Sequence, residues 1–232
     1  MNENKRGAAF FDIDGTLLPG TSMEMLFARA LLRGRLPGRF RWLPFLIEAI
    51  RLAPHGLTTM RKANKAFLAG AKAEDVRDWG EQVFRTDVLP RLDERRRVWI
   101  DRERGRGRSI ILLSGMPDLL MHPFMRHFAP DLGIATPLEV DPQGRLTGRR
   151  AGAHPYGRIK VVIARDLAGR SGWGPKDCSA YGDHASDAHL LAWVGEAYAV
   201  DPDAGLRRAA LRHGWRILEG GGERANDLPA SP

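Results

Sequence analysis

The sequence predicts an α/β protein, a doubly wound parallel sheet with a helical segment inserted after its first strand. Short apolar runs ending in polar residues recur at 8–13, 109–113, 177–182 and 196–200. Stretches of helical period at 116–129, 158–169 and 186–194 alternate with the later runs, the pattern of parallel strands covered by helices on both faces. Residues 21–104 instead hold helix-permissive segments and no convincing strand.

In chain order, "AAFFDI" (8–13) is the first strand, and helical segments are expected at about 22–33, 38–52, 58–69 and 73–104. "SIILL" (109–113) returns the chain to the sheet. Two short alternating runs around Asp-Pro-Gln-Gly, within 137–148, predict a hairpin. "DCSAYG" and "EAYAV" supply two further strands, and the Gly-, Pro- and polar-rich tail 219–232 is expected to fray. The domains read as 6–19 with 106–218 for the sheet unit and 20–105 for the insertion.

The chain has 232 residues and is 43% hydrophobic, enough for one full core and a smaller attached unit. Its formal charge of +8 comes mostly from arginines at 33–41 and 91–108, and a basic excess favours anionic partners. With Phe40, Trp42 and Trp99 interleaved, these stretches permit a protein that binds nucleic acid or an anionic membrane. In 91–108, however, Asp93, Glu94, Asp101 and Glu103 alternate with the arginines. That favours a solvated helix face laced with i to i+4 pairs, and no nucleic-acid partner is expected. The lone Cys178 excludes an internal disulfide and reads as a buried structural thiol. No secretory signal is visible, because the apolar stretch after "MNENKR" immediately meets Asp12, so the expected location is cytoplasmic. "FRWLPFLIEAIRLA" (40–53) is too short for a membrane span and is interrupted by Pro44, Glu48 and Arg51; it reads as a helix buried on one face, with an interfacial role as the lesser alternative.

The chemistry starts at Asp12 and Asp14. Side chains at i and i+2 of a strand point the same way, so both carboxylates leave the end of the first strand toward one space, where open α/β sheets bind ligands. Two like charges so close need a cation or a proton. Ser114 ends the second strand and, with Gly115, offers a hydroxyl and an accessible amide at an expected helix N-terminus, where phosphate binds readily. Lys160 opens a helix and can bring a positive charge, while "YGDHASD" (181–187) adds Asp183 and Asp187. Such an oxygen-rich set suits Mg²⁺. Gly15 and Thr16 fit a tight turn after the strand.

The ordered set "DIDGT", "LLSG", Lys160 and "GDHASD" resembles the haloacid dehalogenase-like superfamily of phosphohydrolases. The insertion straight after the first motif is similar to its phosphoserine phosphatase-like branch, over about residues 8–218. The resemblance implies a Rossmann-like sheet with a helical cap and a Mg²⁺-dependent phosphomonoesterase acting on a small organic phosphate. It further implies that Asp12 is the nucleophile, Asp14 the general acid and base, and Ser114, Gly115 and Lys160 the grip on the phosphoryl group. Mg²⁺ would be held by Asp12, Asp183 and the backbone carbonyl of Asp14, with Asp187 orienting a metal-bound water or Lys160. Glu24, just past the first motif, would favour a substrate bearing an amino group, and Thr21 and Ser22 would contact substrate or cap a helix. Two features depart from the family pattern. His184 replaces a small residue and reads as satisfied or exposed, and "SGMPD" lacks the glycine pair of phosphoserine phosphatases proper. A phosphotransferase of the same fold, passing the phosphoryl group from Asp12 to another alcohol, is the remaining enzymatic alternative.

Overall fold

The computed structural model describes residues 5–36 and 65–220. Six parallel strands form the main sheet: β1 (Ala8–Phe11), β2 (Ser109–Pro117), β3 (Leu132–Thr136), β6 (Ser179–Gly182), β7 (Glu196–Val200) and β8 (Arg216–Leu218), in the spatial order β3-β2-β1-β6-β7-β8. The chain order reverses at β1, so the carboxyl end of β1 opens onto the crevice where such sheets bind ligands. Alternation along each strand sends side chains to two apolar layers. Phe11, Tyr181 and Tyr198 face one layer, while Ala8, Ala180, Ala197 and Ala199 face the other.

The small-residue face lets helices pack closely. It is covered by α5 (Arg158–Ser171) through Ala164 and Ala168, α6 (Ala188–Leu191) through Leu190 and Leu191, and α7 (Ala204–His213) through Leu206 and Ala210. The aromatic face receives α3 (Glu94–Gly105) through Trp99 and Ile100. The same layer continues into α1 (Met23–Leu32), α2 (Ala73–Val83) and α4 (His122–Phe128). Phe11, Tyr181 and Tyr198, on three adjacent strands, stack at centroid distances of 4.3 and 4.4 Å.

The expected 73–104 helix is two helices. A π-turn at Phe84–Val88 and a 3₁₀ turn at Leu89–Arg91 separate them, where Pro90 cannot continue the backbone ladder. Asp93 then restarts the chain by capping α3 at Arg95 N. The expected helix at 38–52, the 40–53 stretch with Phe40 and Trp42, and most of 58–69 lie outside the described residues; Ala66–Leu68 form a 3₁₀ turn. Of the 219–232 tail only its first two residues are described, where Arg207 pairs with Glu219 and Gly220 N donates to Asp201.

The hairpin forms as β4 (Leu138–Val140) and β5 (Leu146–Arg150), with the Asp141 carboxylate accepting from Gln143 N and Arg145 N in its turn. It docks on the inserted segment, since Gly70 N donates to Leu146 O and Leu146 N to Ala71 O, both at 2.8 Å. Strands β3 and β8 escape the sequence reading: β3 is an edge strand containing Gly133, and β8 has three residues.

The 91–108 stretch differs from the expected solvated face. Several of its ion pairs face inward or reach other strands, because the hydroxyls of Tyr181 and Tyr198 enter the layer under α3 and need polar partners. Tyr181 donates to the fully buried Glu103 at 2.6 Å, and Glu103 also takes Arg108 at 2.7 Å. Glu196 takes Arg106 at 2.9 Å together with Arg108. Only Arg95–Asp93 and Arg104–Asp101 lie on the outer face as local pairs. Cys178 is buried and free, as expected. No helix among the described residues is long and apolar enough to cross a membrane.

Candidate active site

Strand β1 ends by handing Asp12 to a loop held at both sides. Asp12 N donates to Tyr181 O at 3.0 Å, and the following turn closes through Leu18 N to Ile13 O and Gly15 N to Leu18 O, each 2.8 Å. Gly15 adopts φ +88°, and a Cβ there would overlap the Asp183 carboxylate. The turn therefore requires glycine twice over, for its torsion and for the approach of Asp183. Thr16, wholly buried, donates its hydroxyl to Asp183 Oδ1 at 3.3 Å.

The two aspartates of the first motif turn to different partners. Asp12 faces Lys160 Nζ at 2.8 Å, and the same ammonium reaches Asp187 Oδ1 at 2.7 Å. Asp14 turns the other way, accepting from Met23 N at the start of α1 at 2.8 Å and from Ser114 Oγ at 3.2 Å. Ser114 Oγ in turn accepts from Met116 N at 3.2 Å. Ser114 and Gly115 lie within the strand and not at the expected helix start, because β2 outruns β1: pairing with β1 stops at Leu112, while β2 continues to Pro117 opposite Thr136 and the next α-helix opens only at His122. Between Leu113 and Pro117 the register with β3 shifts, a bulge that re-aims Ser114 and Gly115 at the crevice rim. Gly115 also leaves room for His154, whose Cε1 lies 2.8 Å from where a Cβ would stand. His154 Nδ1 lies 2.7 Å from Thr136 Oγ1, which donates to Gly115 O at 2.8 Å. His154, in "AHPYGRIK", escaped the sequence reading; its signal is only that it precedes the helix bearing Lys160.

Asp12, Asp183 and Asp187 each present a carboxylate oxygen within 4.8 Å of the others. Burial, followed by the charges of Asp12 and Asp187, pushes Asp183 up to about 9. Burial raises Asp12 to about 7 although Lys160 opposes the shift. Asp14 rises to about 6, again by burial, with the Met23 amide working against it. Burial alone would lower Lys160, but Asp12 and Asp187 hold it above its ordinary value. Three carboxylates facing one ammonium thus leave a demand for further positive charge that hard oxygen donors direct to a divalent cation such as Mg²⁺. The side chain of Asp14 lies outside this cluster, which leaves its backbone carbonyl as the means by which it would join.

Four flanking residues take structural partners. The Glu24 carboxylate pairs with Lys65 Nζ, and Lys65 is 1% exposed. The protein itself supplies the ammonium that Glu24 was expected to take from a substrate. Ser22 caps α1 by accepting from Met25 N at 3.2 Å, and Thr21 meets the Met25 sulfur. His184 is exposed and caps the 3₁₀ turn Ala185–Asp187, its Nδ1 accepting from Ser186 N at 3.1 Å while Nε2 lies 3.5 Å from Asp203.

The family model for haloacid dehalogenase-like hydrolase matches residues 9–192. A Streptomyces azureus protein named inhibition of morphological differentiation protein is 28% identical over 219 residues, covering 92% of this chain and 78% of its own. A Mycobacterium tuberculosis protein named phosphoserine phosphatase SerB1 is 30% identical over 219 residues, covering 91% of this chain and 70% of its own. A solved phosphoserine phosphatase carrying a phospho-aspartyl intermediate analogue superposes with a TM-score of 0.64 at 19% identity, covering 93% of each chain. That last likeness establishes the fold.

Proposed function

The chain belongs to the haloacid dehalogenase-like hydrolase family, and from that premise we propose that it is a Mg²⁺-dependent phosphomonoesterase that hydrolyses a small organic phosphate through an aspartyl-phosphate on Asp12. The observation that carries this reading is the division of labour at the end of β1. Lys160 bridges Asp12 and Asp187, while Asp14 is turned toward Ser114 and the start of α1.

In the first step an Asp12 oxygen attacks phosphorus, the bond from phosphorus to the ester oxygen breaks, and Asp14 gives its proton to the departing alcohol. In the second, Asp14 takes a proton from water as the water oxygen attacks phosphorus. The bond to Asp12 then breaks, releasing inorganic phosphate and the free carboxylate. Burial suits Asp14 to this exchange, since a carboxyl held at about 6 can both carry and release a proton near neutrality. Ser114 and Gly115 contact phosphoryl oxygens, and Lys160 offsets their charge. Asp12, Asp183 and the Asp14 carbonyl would hold Mg²⁺, with Asp187 orienting Lys160; when bound, the ion supplies positive charge against the phosphoryl oxygens.

Within the 20–105 segment we assign the cap role to α1 and α2, because α3 packs on the sheet through Trp99 and Ile100. The Lys65–Glu24 pair argues for a leaving group without an amine, since a tethered ammonium already occupies the carboxylate. The arginines of 91–108 with internal partners support an enzyme over a nucleic-acid binder. Phosphate release should be measured from amino-acid, sugar, glycerol, lipid head-group and nucleotide phosphates, with Mg²⁺ and after chelation. Small esters are expected to turn over only with Mg²⁺, and Asp12→Asn, which keeps the volume but loses the nucleophile, should be inactive. Turnover of that variant comparable to wild type would overturn the covalent route.

A further inference from the structure

We propose that Arg96, on α3, is a positioning residue that locks the catalytic loop after β1 to the loop after β7, and through both of them sets the place of Asp183. This rests on the function proposed above for the loop it holds. Arg96 belongs to the arginine-rich stretch, yet it is 3% exposed. Its Nη1 donates to the carbonyl of Thr16 and, at 3.4 Å, to that of Gly15. Its Nη2 pairs with the Asp201 carboxylate, and the guanidinium carbon lies 5.7 Å from the centre of the Trp99 ring.

The two anchored loops converge on one residue, Asp183, at its carboxylate and at its backbone carbonyl. Thr16 donates its hydroxyl to Asp183 Oδ1, and Asp203, two residues beyond Asp201, donates its amide to the Asp183 carbonyl at 2.8 Å. Asp201 is itself fixed, with φ +39°, its amide on Leu218 O and its Oδ1 on Gly220 N. A planar guanidinium presents its donors in a rigid fork, so one group sets the orientation of two successive peptide planes against a carboxylate on another loop. Away from water such hydrogen bonds are stronger and their loss is costlier. A lysine keeps the charge but offers no fork.

The test compares Arg96→Met, Arg96→Lys and Asp201→Asn with wild type in phosphatase kinetics, in Mg²⁺ affinity by calorimetry, and in thermal melting. In both Arg96 variants kcat should fall by about 10- to 100-fold, the scale expected when catalytic groups move by an ångström or less, with KM within about 3-fold. Mg²⁺ affinity should fall by about 10-fold, because Asp14 and Asp183 shift together. Asp201→Asn, which keeps the shape and weakens only one anchor, should show the same split at smaller amplitude with a near-native melting temperature. Should Arg96→Met fail to fold, Asp201→Asn and Arg96→Lys carry the test. Variants with wild-type kcat and wild-type Mg²⁺ affinity, whatever their melting temperature, would overturn the proposal. A wild-type protein that binds Mg²⁺ but cleaves none of the esters would defeat the proposed function alone, and the affinity comparison would still decide the role of Arg96.

Discussion

Gly15 shows how narrowly the site is drawn at the scale of single residues. Its torsion lies where L side chains are strained, and its missing Cβ is the space the Asp183 carboxylate uses. Gly15→Ala should therefore cost about 1–3 kcal/mol in stability and displace Asp183, lowering kcat far more than the small volume change suggests; urea denaturation alongside steady-state kinetics checks both. Glu24→Gln should leave the ratio of kcat/KM for amine-bearing and neutral phosphate esters unchanged, because Lys65 already holds that carboxylate; a ratio shifted toward neutral esters would restore Glu24 as an amine ligand. Asp12, Asp14, Ser114, Asp183 and Asp187 were legible as candidates because each sits at or near a strand end or helix start whose periodicity the sequence displays, while Lys160 stood out through the family resemblance. Arg96 was not, since nothing in "ERRRVW" marks which arginine points inward. Nor could the sequence reveal that Lys65, some forty positions from Glu24, would reach it.

Among the elements, α3 and the residues just after it depart furthest from their reading, because Arg102 and Glu103 reach Tyr181 on β6, Arg106 and Arg108 reach Glu196 on β7, and Arg96 reaches Asp201 just beyond it. Glu196 at the start of β7 is the clearest case. Burial alone would raise its carboxyl, but Arg108, with Tyr198 and Arg106, brings it down from 4.5 to about 2. A carboxyl depressed in the folded state stabilises that state fully above its unfolded value, and this stabilisation is lost as pH falls toward the folded one. Between pH 6 and pH 3, wild type should lose on the order of 1–2 kcal/mol more than Glu196→Gln, allowing for solvent screening of a partly exposed group. Denaturant titrations of both proteins at the two pH values measure the difference, and parallel losses would remove Glu196 from the acid response. The inner strands were legible from their apolar runs and the hairpin from its Asp-Pro-Gln-Gly turn. Strands β3 and β8 were not, because half-buried edges and three-residue strands leave too short a pattern to show a period.

Across the whole molecule, the acidic cluster joins parts of the chain that are far apart in sequence: Asp12 after β1, Lys160 on α5, and Asp183 and Asp187 after β6. Their mutual repulsion opposes folding until positive charge arrives, and burial raises both Asp12 and Asp183. A cation that binds only the folded arrangement must therefore stabilise the entire fold. At a concentration about 100 times its dissociation constant the gain is about 2.7 kcal/mol, and in a domain of this size each kcal/mol raises Tm by roughly 2–4 °C. Mg²⁺ should thus raise the melting temperature by roughly 5–10 °C, with EDTA reversing the shift and Asp183→Asn nearly abolishing it. Ca²⁺ takes more oxygen ligands at longer distances, so it should also raise Tm while failing to support turnover, because the nucleophile it engages is held out of line. Scanning calorimetry with each ion, paired with phosphate release under the same conditions, separates binding from catalysis. A melting temperature indifferent to Mg²⁺ in wild type would mean that Lys160 and carboxyl protonation alone balance the cluster, and the metal-dependent reading would fall.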